Sequence, residues 1–143
     1  MTAQEAFTMM VKEQIAPALR ELGFKGSGQR FVLPSPDHWA QIGLQKFTWS
    51  NRDVVDFTAN VTVVRRDDWD AQRAEQPHLP QRPAPNVFYG TYSWQKRIAS
   101  LIPGHAHDKT WRVSPDRPME PVADDFVATI RDYALPAMRK RMR

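Results

Sequence analysis

Residues 38–65 read HWAQIGLQKFTWSNRDVVDFTANVTVVR, two runs of alternating side chains on either side of a turn-rich centre. A period of two puts successive side chains on opposite faces of a sheet. The runs read as strands His38–Thr48 and Asp53–Arg65, and the four-residue loop Trp49-Ser50-Asn51-Arg52 between them suits an antiparallel hairpin. Setting Thr48 opposite Asp53 places Ala40, Ile42 and Leu44 opposite Val61, Ala59 and Phe57 on one face. Gln41, Gly43 and Gln45 then lie opposite Asn60, Thr58 and Asp56 on the other. Loop length and side-chain pattern thus agree on one apolar and one polar face, which is what pins a register.

Working outward toward the N-terminus, Arg30–Leu33 forms a third strand, joined to His38–Phe47 by Pro34-Ser35-Pro36-Asp37, with Phe31 lined up with Ala40 on the apolar face. Gly26-Ser27-Gly28-Gln29-Arg30 lacks the Lys-Ser/Thr pair and the following helix of a phosphate-binding loop, so it reads as a flexible turn. Thr2–Leu22 carries Phe7, Met10, Val11, Ile15, Ala18, Leu19 and Leu22 at spacings of three and four, the pattern of an amphipathic helix with Thr2 as its cap. Pro17 has no amide donor and should kink or restart that helix before Gly23.

Toward the C-terminus, Asp67–Gln76 reads as a short helix, and Pro77–Pro85, with four prolines in nine residues, must be a loop or an extended connection. Asn86–Ser93 reads as a strand or as an extended lead into a helix that sets Trp94, Ile98, Leu101 and Ile102 on one face and that Pro103-Gly104 stops. Thr110–Ser114 reads as a short strand. Met119–Arg141 sets Val122, Phe126, Ile130, Tyr133 and Ala137 on a stripe, with Pro121 harmless near the helix start and Pro136 bending the last turns. The fold expected is α+β in one domain spanning residues 1–143: an antiparallel meander of three to five strands, with the N- and C-terminal helices packed on its apolar face and the polar face left open.

Composition narrows the function classes. Four of the 20 Lys and Arg residues fall in the last five positions, at Arg139, Lys140, Arg141 and Arg143, leaving 16 bases against 16 acids elsewhere. Nucleic-acid recognition asks for a basic stripe across a folded surface, and a basic tail alone does not supply one. There is no cysteine, which rules out a disulfide scaffold or thiolate metal site and fits a reducing compartment, the cytoplasm. No apolar run reaches about 18 residues, and Met1–Met10 lacks the basic start and apolar stretch of an export signal, so neither membrane insertion nor export is expected.

Several of these segments, in order, are carried by a known family. The first helix running into Leu22-Gly23-Phe24-Lys25, then Phe31, Ile42-Gly43-Leu44-Gln45-Lys46 and Phe57-Thr58-Ala59-Asn60-Val61 make up the first half of the pattern. Trp94-Gln95-Lys96-Arg97-Ile98, Leu101-Ile102-Pro103-Gly104 and Asp108-Lys109-Thr110-Trp111 complete it. In the order and spacing of these pieces the chain resembles the bacterial family known as a domain of unknown function, DUF4304. It departs from that pattern at Phe47, where a small polar residue is expected, and in the Pro77–Pro85 insertion. The resemblance implies an α+β fold and carries no activity or catalytic residue with it.

Candidate chemistry is sparse. His105 and His107 flank Ala106 and would face the same way on an extended segment, within zinc's taste for imidazole, but a third ligand would have to come from elsewhere. Asp37-His38 pairs a base with a carboxylate at a turn without a nucleophile beside it. Asp124 and Asp125 point about 100° apart on a helix and suit its first turns electrostatically. Asp56 differs, being a strand carboxylate among Gln45, Thr58 and Asn60.

Trp39 and Phe47 flank the polar face, and Trp49 shares the hairpin loop with Arg52, a pairing common in interface hot spots. Trp39 has a second reading, packed under the proline-rich segment. The first functional expectation is a small non-catalytic protein-binding module, in one form an immunity-type protein. It would contact a protein partner through Trp39, Gln41, Gln45, Trp49, Arg52, Asp56 and Asn60, with no cofactor. The alternative is a ligand-binding protein or metal-assisted hydrolase whose pocket lies near residues 105–111, with Asp56, His38, His105 and His107 as its titratable groups.

Overall fold

The computed structural model describes residues 1–90, 93–105 and 107–143. Its centre is the hairpin of β3 (His38–Lys46) and β4 (Val55–Arg65). Before it come β1 (Lys25–Ser27) and β2 (Arg30–Val32), after it β5 (Trp94–Arg97) and β6 (Trp111–Val113), giving an antiparallel sheet in the order β1-β2-β3-β4-β5. β6 shares the far edge of β4 with β5, β5 pairing residues 60–63 and β6 pairing residues 55–57.

The two faces fall as expected, but the register is two residues away from the expected one. Ile42 pairs with Val61, Leu44 with Ala59 and Ala40 with Val63, and Phe31 opposes Ile42 instead of Ala40. A slip of two keeps every side chain on its face and changes only its partner. The cause lies in the loop. Ser50 Oγ accepts the Asp56 amide at 3.0 Å and donates to the Asp56 carbonyl, while Asn51 Oδ1 accepts the amides of Asp53 and Val54 at 2.8 and 3.1 Å. These side chains take the place of ladder bonds, so β4 starts at Val55 rather than Asp53. The Gly26–Gln29 turn is likewise more ordered than expected. It closes a β1–β2 hairpin over Gly28, whose φ of 63° suits the first position of a two-residue loop.

On the apolar face lie two helical arms. The first is α1 (Ala3–Met10), a π turn (Val11–Ile15) and α2 (Ala16–Glu21); Thr2 caps it, its hydroxyl accepting the Glu5 amide. The second is α4 (Glu120–Thr129), a π turn (Ile130–Ala134) and α5 (Leu135–Arg141). Each π turn ends two residues before a proline, and in each the residue just before the proline closes a wide ring: Ala16 N–H bonds the Val11 carbonyl and Leu135 N–H the Ile130 carbonyl. The widened turn adds one residue to the helical count. In the second arm it moves the buried stripe from Tyr133 and Ala137 to Ala134, Leu135 and Met138, leaving Tyr133 exposed.

Phe7, Phe57, Trp111 and Phe126 interlock at the core, with ring centroids 4.8–5.7 Å apart. Ile42, Leu44, Ile15, Leu19 and Ile130 fill the space around them and are fully buried, each contributing about 1.5–3 kcal/mol of transfer free energy. The helix expected from Trp94 is instead β5, followed by a 3₁₀ turn at Ile98–Leu101. Four residues are too few to settle helix against strand by periodicity, and the unpaired edge of β4 decides the matter. α3 (Arg66–Glu75) continues directly from β4.

Candidate interaction surface

The polar face divides into a covered half and an exposed end. Over the covered half runs a strap, residues 80–90, anchored by α3. Trp69 of α3 is fully buried; its indole N–H donates to the Pro80 and Gln81 carbonyls at 3.2 and 3.1 Å, and its ring meets Tyr89 edge-on at 4.8 Å. The Pro83 carbonyl accepts from Gln41 Nε2 at 2.6 Å and from the Arg30 guanidinium, which also reaches Gln41 Oε1. Asn86 donates to the Leu44 carbonyl and accepts from Asn60, and Gln95 bridges the Val87 carbonyl and the Tyr89 amide. Gly43 is where the strap comes closest: a Cβ there would stand 2.7 Å from Pro85 Cβ and nearer still to the Asn86 side chain.

The expectation of an open polar face is therefore corrected for this half. Gln41, 1% exposed, is a strap anchor with no surface to offer. Trp39 follows its second reading, half-buried beside the strap, with the Arg66 guanidinium 3.8 Å above its ring and Pro80, Arg82 and Ala84 lining the same cleft. Burial lowers the pKa of Arg30, and the neighbouring charge of Arg82 lowers it further.

The other end of the face is built differently. Trp49 is 60% exposed, yet its ring stacks on Phe47 at 4.3 Å and 6°, and its indole N–H donates to Asp56 Oδ2 at 2.8 Å. Asp56, its side chain only 9% exposed, takes Arg112 Nε at 2.8 Å on Oδ1 and Arg112 Nη2 at 3.0 Å on Oδ2. The Arg112 hydrogen bonds hold the Asp56 carboxyl below the usual carboxylate range; burial opposes them and the Trp49 bond assists. With both oxygens engaged by these three donors, Asp56 ties β6 and the hairpin loop to β4.

Beside it Gln45 Oε1 accepts from Asn60 at 2.7 Å and Arg97 at 3.2 Å, and the Arg97 guanidinium lies 5.7 Å from the Phe47 ring. Of the seven residues expected at a partner surface, Gln45, Trp49, Asp56 and Asn60 are thus brought together. Trp39 sits about 26 Å up β3 from Phe47 at the rise of a strand. Arg52 is exposed in the hairpin loop, and its carbonyl accepts the Ala3 amide at the start of α1. The sequence pattern does not point to Arg97, which it places in a helix, or to Arg112, which stands in a three-residue strand whose register alone puts it opposite Asp56.

Residues 107–111 close onto the sheet. Thr58 donates to the Lys109 carbonyl at 2.6 Å, Asp108 faces Arg97 at 3.7 Å, and Asp125 accepts both the Trp111 indole N–H at 2.7 Å and the Lys109 ammonium at 3.0 Å. Burial acts to raise the Asp125 pKa, and these two donors outweigh it, so it is lowered. His105 and His107 are exposed, Ala106 between them lies outside the described residues, and among the described residues no three His, Cys, Asp or Glu side chains are grouped to hold a metal. His38 is buried at the strand start, its carbonyl accepting from Arg66.

Comparison with curated proteins and with solved structures returns no match. A family model, described as a domain of unknown function, matches residues 15–140, from the last residue of the first π turn to within one residue of the end of α5. That span takes in the sheet, the strap and the second helical arm, and the chain belongs to the DUF4304 family.

Proposed function

We propose that this protein is a non-catalytic, protein-binding module of the bacterial cytoplasm, and that its docking surface is the exposed end of the polar sheet face around Trp49. The observation that carries the proposal is an indole that is 60% exposed and at the same time fixed in orientation by Phe47 and Asp56. Ordering a large aromatic before encounter removes part of the entropic cost of binding. Trp and Arg are the residues that most often supply binding free energy at interfaces; Arg112 shares Asp56 with this Trp, and Arg97 lies 5.7 Å from the Phe47 ring on which it stacks. The partner suited to it presents an apolar slot for the indole inside an acidic rim. A reducing compartment fits a chain without cysteine, and among the described residues no helix is long and apolar enough to cross a membrane.

The test is retention of proteins from the source cells on immobilised wild type, Trp49→Ala and Tyr133→Ala, the last removing an exposed aromatic from the helical layer. A protein held by wild type and Tyr133→Ala, and reduced about thirtyfold on Trp49→Ala at unchanged melting temperature, supports the surface. Equal retention by all three, or no specific retention by wild type, overturns it.

A further inference from the structure

On the helix-covered side of the sheet, a cleft of about 510 Å³ opens between the first π turn and the β1–β2 hairpin. Phe7, Val11 and Ala16, all nearly buried, form its apolar floor. Lys12, Arg20 and Lys46 line it as well, and among the described residues no acidic side chain does. Glu5 and Glu13 border a separate shallow surface that shares only Thr8 and Lys12 with the cleft. The size lies inside the range of small-molecule sites, about 300–1,000 Å³.

The cations are only partly used. Arg20 spends one N–H on the Gly26 carbonyl at 2.9 Å, leaving others of the five a guanidinium carries. Lys46 gives one bond to Gln4 at 3.0 Å and lies 5.4 Å from the Phe7 ring, which holds its ammonium beside the floor. Lys12 has no hydrogen bond or ion pair among the described residues. The π turn places it there: the wide ring from Val11 to Ala16 sets Val11 and Ala16 in the floor with Lys12 beside them. π turns recur at functional sites, where they redirect side chains in this way.

We propose that this cleft binds a small amphiphile, an aliphatic body capped by one anionic head, the body on Phe7, Val11 and Ala16 and the head at Lys12, whose ammonium no other side chain engages among the described residues. Charge complementarity selects the head, since the charged side chains that line the cleft among the described residues, Lys12, Arg20 and Lys46, are all cationic. A carboxylate and a phosphate share this chemistry.

The experiment is calorimetric titration of wild type with decanoate, decyl phosphate and decanol, repeated on Lys12→Glu and Thr8→Trp. Both substitutions fall on exposed side chains, and thermal melting checks that each variant folds. Expected is binding of at least one anion about tenfold or more tighter than decanol; Lys12→Glu weakens that anion about tenfold without changing decanol. Thr8→Trp, which fills the cleft, abolishes binding of both. The anion bound more tightly identifies the head. The proposal fails if neither anion binds wild type, if decanol binds as tightly as the anions, or if either variant binds as wild type does.

Discussion

Asp56 joins three parts of the chain through one side chain, taking Arg112 from β6 on both oxygens and Trp49 from the hairpin loop on one. Because its folded-state pKa is lowered, the stability it contributes is fully present above the unfolded value near 3.9 and is lost as pH falls through the lower folded value. Asp56→Asn is therefore expected to cost about 1–2 kcal/mol at pH 7, the size of lost charge-assisted hydrogen bonds, with the gap from wild type constant down to about pH 5 and closing below about pH 4. Urea melts of both proteins at pH 7, 5 and 3 check this; a gap that stays the same at pH 3 rules out the linkage. The same substitution should also free Trp49, seen as a red shift of its emission. Asp56 was legible in the sequence as a strand carboxylate among polar neighbours. Arg112 was not, because a three-residue strand has no periodicity of its own and finds its place only by pairing with β4.

At the scale of elements, alternation in β3 and β4 was enough to separate the two faces, and the three-and-four spacing located both helical arms. What local reading missed is settled by strand pairing with the edge of β4, by side chains acting at a distance or by a change in helical pitch. Ser50 and Asn51 bond back to the backbone and set the register two residues away. The π turns before Pro17 and Pro136 insert a residue into the helical count, so a stripe projected at constant pitch drifts onto Tyr133. The polar face called for water or a partner, and Trp69, whose helix carries little else that is apolar, supplied the cover instead by holding the strap. That attachment predicts a separable defect. Trp69→Phe keeps most of the buried ring and removes the N–H shared by Pro80 and Gln81, so the strap should open more often while the helical layer keeps its packing. Chymotryptic cleavage after the exposed Phe88 should speed up about five- to tenfold, with the aromatic circular dichroism of the core retained. Unchanged cleavage would show that the strap is held by Gln41, Arg30 and Asn86 without Trp69.

The whole molecule is a sheet covered unequally on its two sides. Against one face two helical arms bury four interlocked aromatic rings and the large aliphatic side chains; against the other a strap without regular structure rests on hydrogen bonds to Gln41, Asn60 and Gln95 and on a single tryptophan. Apolar burial on the first side greatly exceeds that on the second, so the two covers should not be lost in the same step. Native-state hydrogen exchange reads this directly. The amide of Ala84, bonded to the Tyr89 hydroxyl, and that of Tyr89, bonded to Gln95, should exchange by local opening with almost no dependence on low denaturant. Amides of the central β3–β4 ladder should exchange only through global unfolding, with a slope approaching that of the equilibrium melt. Equal rates and equal slopes in the two groups would instead make strap, sheet and helices one cooperative unit. Two-step behaviour has a functional consequence as well. Asn86 of the strap and Gln45 of the exposed end share Asn60, so a partner seated on Trp49 would bear on the strap through one side chain, and strap protection should rise when the surface is occupied.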